Sequence, residues 1–185
     1  YYLVRAGAGE NWHRLVLHCI RRQYAGLENL SLIPGNVGAS PIQNIGAYGV
    51  ELKDVFESLQ ALHLHDFSLH TFTADDCAFG YRDSVFKREY KNQFVILNVT
   101  LRLRKRPVFH TSYGAIEQEL EAMGVRELSI EAIAQAVINI RSSKLPDPRE
   151  IGNAGSFFKN PVLSAAEIER LKQLNPAMPV HPVDG

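Results

Sequence analysis

The sequence predicts an α+β protein, and three observations carry that expectation. FVILNVTLRL at 94–103 alternates side chains with the period of two that a strand requires. The remaining strand-like stretches, with one helix among them, lie before RKRP at 104–107. Beyond RKRP, apolar residues return every three or four positions, as on helices. Strands gathered first and helices later is an α+β order. It sets a boundary near residue 106 and two domains, 1–106 and 107–185.

The elements follow in order. YYLVRAGAG alternates large side chains and ends in small ones, as a strand does before a tight turn. In ENWHRLVLHCIRRQYAG, Trp12, Leu15, Val16, Cys19 and Ile20 fall on one helical face, and Gly26 is the expected left-handed stop. Residues 31–49 are glycine-rich and lack periodicity, so they form a long loop, of the kind that usually carries function in a compact domain. A hairpin is expected over 57–73, turning near Asp66. In the strand at 94–103, Val95, Leu97, Val99, Leu101 and Leu103 are expected to share one face, opposite Asn98, Thr100 and Arg102. A helix runs from Ser112 to Met123 and ends at Gly124. Ser129 caps a second, with Ile130, Ile133, Ala134, Val137 and Ile138 on one side, and KLPDP at 144–148 breaks it. Ser164 and Glu167 make a capping box ahead of Ile168, Leu171 and Leu174.

Composition excludes several classes. Lys+Arg and Asp+Glu balance at 20 each, which argues against nucleic-acid binding through bulk charge. No apolar run approaches the ~20 residues of a membrane span. Cys19 and Cys77 have no CxxC or ligand spacing and read as reduced core thiols, as expected of a cytoplasmic chain. His63, His65, Asp66 and His70 are a weak metal-ligand pattern, better read as a solvated hairpin face; no metal is expected. Arg102, Arg104 and Arg106 read as a solvated strand edge.

Three stretches are candidates for chemistry, each with a plain structural alternative. In SLIPGNVGASPIQNIGAYGVELKD, residues 31–54, glycines let backbone N–H groups approach an anion, and Ser40, Gln43 and Asn44 add side-chain donors and acceptors. The stretch is neither a Walker loop nor a GxGxxG turn, and a structural glycine loop is the alternative. In GYRDSVFK, Arg82 is a fixed cation suited to a carboxylate or a developing enolate, or else the partner of Asp83 or another acid in a surface ion pair. In GNAGSFFKNP, small residues surround Ser156, with no GxSxG elbow; its hydroxyl serves either chemistry or a tight turn. Lys144 stands at a helix end, where dipole complementarity or a substrate phosphate would suit it.

Taken together, AGAGENWHRLV, GLENLSLIPGNVGASPIQNIGAYGVEL, FGYRDSVFK, SSKLPDP and GNAGSFFKNPV closely resemble the MurB family of UDP-N-acetylenolpyruvoylglucosamine reductases, over nearly the whole chain. The resemblance implies the C-terminal part of a vanillyl-alcohol-oxidase-type FAD-binding domain over 1–106. The start of an α+β substrate-binding domain follows over 107–185. It implies an FAD-dependent oxidoreductase of peptidoglycan precursor synthesis, serving cell-wall biogenesis, cell shape and division. With NADPH as reductant it converts an enolpyruvyl UDP-sugar to UDP-N-acetylmuramate. Residue by residue it implies catalytic Arg82 and Ser156, Arg82 stabilising the enol and Ser156 protonating it. For the cofactor it implies the stretch 35–49, with Gly35, Asn36, Gly38, Ser40, Gln43, Asn44, Gly46, Ala47 and Tyr48. For the substrate it implies Tyr113, Lys144 and Asn160.

In that family a Gly-rich segment precedes the match to Tyr1 and a catalytic glutamate follows the match to Gly185. The chain therefore reads as a piece, expected to be inactive alone, with His181 where a tyrosine is expected. A monomer is expected, with a UDP-sugar and NADPH as partners. The competing readings are another FAD-dependent oxidoreductase of this fold, or a non-catalytic nucleotide-sugar or flavin-binding module.

Overall fold

The computed structural model describes residues 1–113, 115–147, 150–152 and 158–181. They fall into two compact units, Tyr1–Ala154 and Gly155–Gly185.

The first unit is built on a four-stranded antiparallel sheet. Its strands are β1 (Tyr2–Gly7), β4 (Phe56–His63), β5 (Leu69–Thr73) and β6 (Phe94–Leu103), in the order β1-β6-β4-β5. A two-residue hairpin, β2 (Gly46–Ala47) and β3 (Val50–Glu51), stands apart from it. The helices are α1 (Trp12–Arg21), the single turn α2 (Ala74–Cys77), α3 (Ile116–Ala122) and α4 (Ile130–Lys144).

α1 forms where the sequence places it. Asn11 accepts the Arg14 N–H as N-cap, and Trp12, Val16, Cys19 and Ile20 are buried. The stop, however, is Gln23 and not Gly26. Gln23 takes φ 58°, its N–H reaches the Ile20 carbonyl, and the Tyr24 N–H reaches the Cys19 carbonyl. This is the left-handed C-terminal motif in which glycine is usual. Gly26 serves a close approach instead: a Cβ there would lie 2.9 Å from Val55 Cγ1.

β6 carries the second correction. Val99, Leu101 and Leu103 are buried as expected, but Val95 and Leu97 are exposed and Ile96 is buried. Gln60 pairs with Asn98 while Ala61 pairs with Ile96, so Leu97 is an extra residue on β6. Such a bulge exchanges the faces on its two sides. The Leu97 carbonyl accepts the Ala8 N–H at 2.8 Å. The hairpin at 57–73 turns as expected, with Asp66 accepting from the Ser68 N–H and hydroxyl.

α3 begins four residues later than the sequence suggests and closes at Gly124, φ 68°. Ser129 caps α4 through the Ala132 N–H. Ile130 and Ala134 of α4 belong to the main core. Ile133, Ala136, Val137 and Ile140 form a second apolar cluster with Ile116 and Leu120. Each such buried Ile, Val or Leu side chain contributes about 1.5–3 kcal/mol. α4 also packs on the 3-10 turn Glu28–Leu30, so residues after 106 build onto the earlier segment within one compact unit.

In the second unit, α5 (Ala165–Leu174) opens with the expected capping box: Ser164 accepts the Glu167 N–H, and Glu167 accepts the Ser164 N–H.

Candidate functional site

The site grows from two tight turns. In the β2–β3 hairpin, Tyr48 and Gly49 both have positive φ, 50° and 78°, the geometry of a type I′ turn, for which glycine is well suited. The second turn is Gly80–Asp83, whose end residues exchange both backbone hydrogen bonds and leave Arg82 at the apex with φ 52°. Ser84 fastens this turn to the loop by donating its hydroxyl to the Ile42 carbonyl at 2.7 Å. Phe86 packs edge-on against Phe72 of β5, ring centroids 5.1 Å apart, anchoring the stretch to the sheet.

Arg82 lies against the hairpin. Nη1 donates to Glu51 Oε1 at 2.9 Å and Nη2 to the Gly46 carbonyl at 2.6 Å. Gly46 leaves room for this placement of the guanidinium: a Cβ there would stand 2.5 Å from Nη1 and push the arginine aside. The Tyr81 ring lies 5.0 Å from the guanidinium carbon. Of the two sequence readings of Arg82, the ion pair is present, but with Glu51; Asp83 pairs instead with Arg88 at 2.5 Å.

Asn44 is spent within the protein. Its amide donates to Glu51 Oε2 at 3.0 Å and to the Gly80 carbonyl at 2.9 Å, and its Oδ1 accepts the Lys53 N–H at 3.0 Å. It is buried at φ 42° and ties the loop, the hairpin and the arginine turn together. Ser40 is also buried, donating to the Val37 carbonyl at 2.6 Å. Gly38 packs on the end of β1, where a Cβ would meet Ala8 Cβ at 2.6 Å. Gly35, Asn36 and Gln43 are exposed, and Ala47 and Tyr48 are half-buried.

Sequence reasoning missed a supporting layer. Buried Asn29 donates to the carbonyls of Tyr48 and His110 at 3.0 and 2.8 Å, joining the hairpin to the segment before α3. Glu28, buried beside it, accepts the Gly26 N–H at 2.7 Å, and burial raises its carboxyl pKa. Leu32, at φ 56°, is held on both sides: its N–H donates to His13 Nδ1 at 3.0 Å, and its carbonyl accepts from Arg141 Nε at 3.2 Å. Burial lowers the His13 pKa, and the Arg141 charge lowers it further. Burial also pushes the Tyr48 hydroxyl up, with Arg141 working in the opposite direction. The available signal was acid placement: Glu28 and Glu51 are carboxylates inside apolar, glycine-rich stretches, and buried acids require partners.

A cleft of about 420 Å³ opens beside the hairpin, lined in part by Glu28, Asn29, Gly49, Arg104 and His110. Tyr113 packs on Gly49, its Cβ 3.4 Å from where a Gly49 Cβ would stand. Lys144 is the exposed last residue of α4. Asn160 is exposed in the second unit. Ser156 lies outside the described residues. The structure thus gathers Arg82, Gly46, Asn44, Tyr48 and Tyr113 about one hairpin. Cys19 and Cys77 are buried free thiols, each pushed up to about 12 by burial. Among the described residues no helix is long and apolar enough to cross a membrane.

An antiparallel sheet flanked by helices, beside a glycine-rich loop, defines the class as α+β. Residues 1–66 match the family model described as FAD binding domain. Over nearly its whole length the chain is similar to UDP-N-acetylenolpyruvoylglucosamine reductases. The protein of that name from Amoebophilus asiaticus is 58% identical over 178 residues, which is 96% of this chain and 52% of that protein. The one from Pseudomonas aeruginosa is 52% identical over 97% of this chain and 53% of its own length. Among solved structures, UDP-N-acetylenolpyruvylglucosamine reductase (MurB) from Thermus caldophilus aligns with a TM-score of 0.62 at 26% identity. That alignment covers 92% of this chain and 54% of that one. The chain therefore spans about half the length of the curated relatives it matches.

Proposed function

We propose that the protein carrying this chain is an NADPH-dependent flavoenzyme that reduces the enolpyruvyl group of UDP-N-acetylglucosamine enolpyruvate to UDP-N-acetylmuramate. Its product would feed peptidoglycan synthesis, and it would act as a cytoplasmic monomer. What supports the reading, beyond the similarity to named reductases, is Arg82: a cation pinned by Glu51 and the Gly46 carbonyl beside the glycine-rich loop. FAD, when bound, supplies the hydride. The exposed residues Gly35, Asn36 and Gln43, with the Gly46–Gly49 turn, would hold one side of it.

The chain's own residues then handle charge and proton. Hydride addition to the enolpyruvyl double bond leaves an enolate, and Arg82 would stabilise it through N–H groups not engaged by the hairpin. Ser156 would deliver a proton to the neighbouring carbon. Tyr113, Lys144 and Asn160 would each contribute to binding the UDP-sugar. The test is NADPH oxidation by the full-length protein with and without the enolpyruvyl UDP-sugar. Substrate-dependent oxidation is expected. An FAD-loaded protein whose NADPH oxidation ignores the substrate would overturn the reading.

A further inference from the structure

Glu51, the last residue of the hairpin, joins Arg82 to the loop and to the segment that follows the hairpin. Its Oε1 accepts from Arg82 Nη1 at 2.9 Å. Its Oε2 accepts from Asn44 at 3.0 Å and pairs with Lys53 Nζ at 3.1 Å. Its own N–H donates to Asp54 at 2.8 Å, which fixes the strand end from which the side chain projects. The Glu51 side chain keeps 20% of its surface exposed and that of Arg82 31%, so this is a half-sheltered pair at the edge of the site. An exposed arginine explores many rotamers, and holding one costs side-chain entropy. Here two N–H groups are committed to acceptors on one hairpin, and among the described residues the other three guanidinium N–H groups have no hydrogen-bond acceptor.

We propose that Glu51 is a positioning residue for the reductive step. It locks the Arg82 guanidinium to the hairpin formed by Gly46, Ala47 and Tyr48, so the cation that meets the substrate keeps register with the loop that meets the cofactor. The proposal rests on the assignment of Arg82 to the substrate's developing negative charge. Glu51 itself touches neither substrate nor cofactor. Its carboxylate also balances one of the two cations beside it, Arg82 and Lys53. Removal would leave the guanidinium charged but mobile, and a group aligned only part of the time loses catalytic effect without losing its charge.

The experiment uses the full-length FAD-loaded protein with Glu51→Ala, Glu51→Gln, Arg82→Ala and the Glu51→Ala/Arg82→Ala double variant. Flavin reduction by NADPH and flavin reoxidation by the enolpyruvyl UDP-sugar are followed separately. Substrate affinity is measured by calorimetry and folding by thermal melting. Glu51→Ala is expected to slow reoxidation by about ten- to hundredfold, with flavin reduction near normal. Glu51→Gln, which keeps a neutral acceptor for Nη1, is expected to fall between Ala and the parent. In the Arg82→Ala background, Glu51→Ala is expected to cost nothing further, because Glu51 acts through Arg82. Additive losses would overturn the proposal, as would parent-like reoxidation in a folded Glu51→Ala protein. If Glu51→Ala fails to fold, Glu51→Gln and its double with Arg82→Ala decide the matter by the same criterion. Parent-like reoxidation in Arg82→Ala would instead overturn the underlying assignment of Arg82.

Discussion

Arg82 carries two geometric commitments that a lysine cannot reproduce. A planar guanidinium reaches Glu51 and the Gly46 carbonyl together and still faces outward; an ammonium is a single point of charge. Arg82→Lys in the full-length protein is therefore expected to cost about 2 kcal/mol in the reductive step, or about thirtyfold in turnover. Steady-state turnover reduced less than about threefold, roughly 0.7 kcal/mol, would make Arg82 a surface ion-pair residue. At Ser156 the expectation rests on resemblance, since that residue lies outside the described part. Ser156→Ala should leave flavin reduction by NADPH near normal and slow reoxidation by substrate about 10²–10⁴-fold, the usual loss for a positioned acid. Stopped-flow traces with unchanged reoxidation would remove Ser156 from the chemistry.

At the scale of an element, the β2–β3 hairpin works as a bracket. Its turn residues take left-handed conformations, its first residue lacks a side chain, and its last supplies the carboxylate for Arg82. Gly46→Ala makes the bracket testable. The added methyl would contact the end of a flexible arginine at 2.5 Å and Glu51 Cγ at 2.9 Å, so Arg82 is the group that must move. The expected result is a melting midpoint within about 4 °C of the parent, equivalent to roughly 1 kcal/mol or less. Reoxidation by substrate should fall about tenfold or more, at 1.4 kcal/mol per decade. Full activity with an intact fold would show that the arginine is not held where the hairpin places it.

At the scale of the whole molecule, His13 and Arg141 clamp Leu32 from α1 and α4 and so join distant parts of the chain at the start of the loop. His13 accepts a hydrogen bond through Nδ1, which only its neutral form can do. Its folded-state pKa is lowered from about 6.5 by burial and by Arg141. A depressed pKa gives stability that is fully present above the unfolded value and is lost as pH falls through the folded one. Stability from this residue should thus decline as pH drops below about 6.5. Glu28 has the opposite sign: burial raises its carboxyl above 4.5, so its contribution is lost as pH rises through that window. His13→Asn keeps an acceptor near the Nδ1 position and removes the titration. Urea midpoints between about pH 5 and 7, the range in which imidazole titrates, should show a flatter slope for His13→Asn than for the parent. Parallel slopes would contradict the clamp.

The sequence by itself determined the local facts. Asn11, Ser129 and Ser164 cap helices where they stand, because a cap is a bond between a side chain and a backbone N–H two or three residues away. The α+β class and the hairpin turning at Asp66 were legible for the same reason: spacing and residue type act at short range. Tertiary structure decided whatever depended on a partner distant in sequence. The Leu97 bulge arises from pairing between β4 and β6, and no periodicity within 94–103 could reveal it. Gln23, not Gly26, ends α1, and only the approach of Val55 shows what Gly26 is for. Asn44 looked like a ligand donor, yet its side chain is consumed in joining Glu51, Gly80 and Lys53. The carboxylate for Arg82 comes from 31 positions away, and not from Asp83 beside it. The tight turn aims the arginine at the hairpin while Arg88 takes the neighbouring acid. Sequence spacing reports which groups can meet along one element; the folded sheet and its loops decide which of them do.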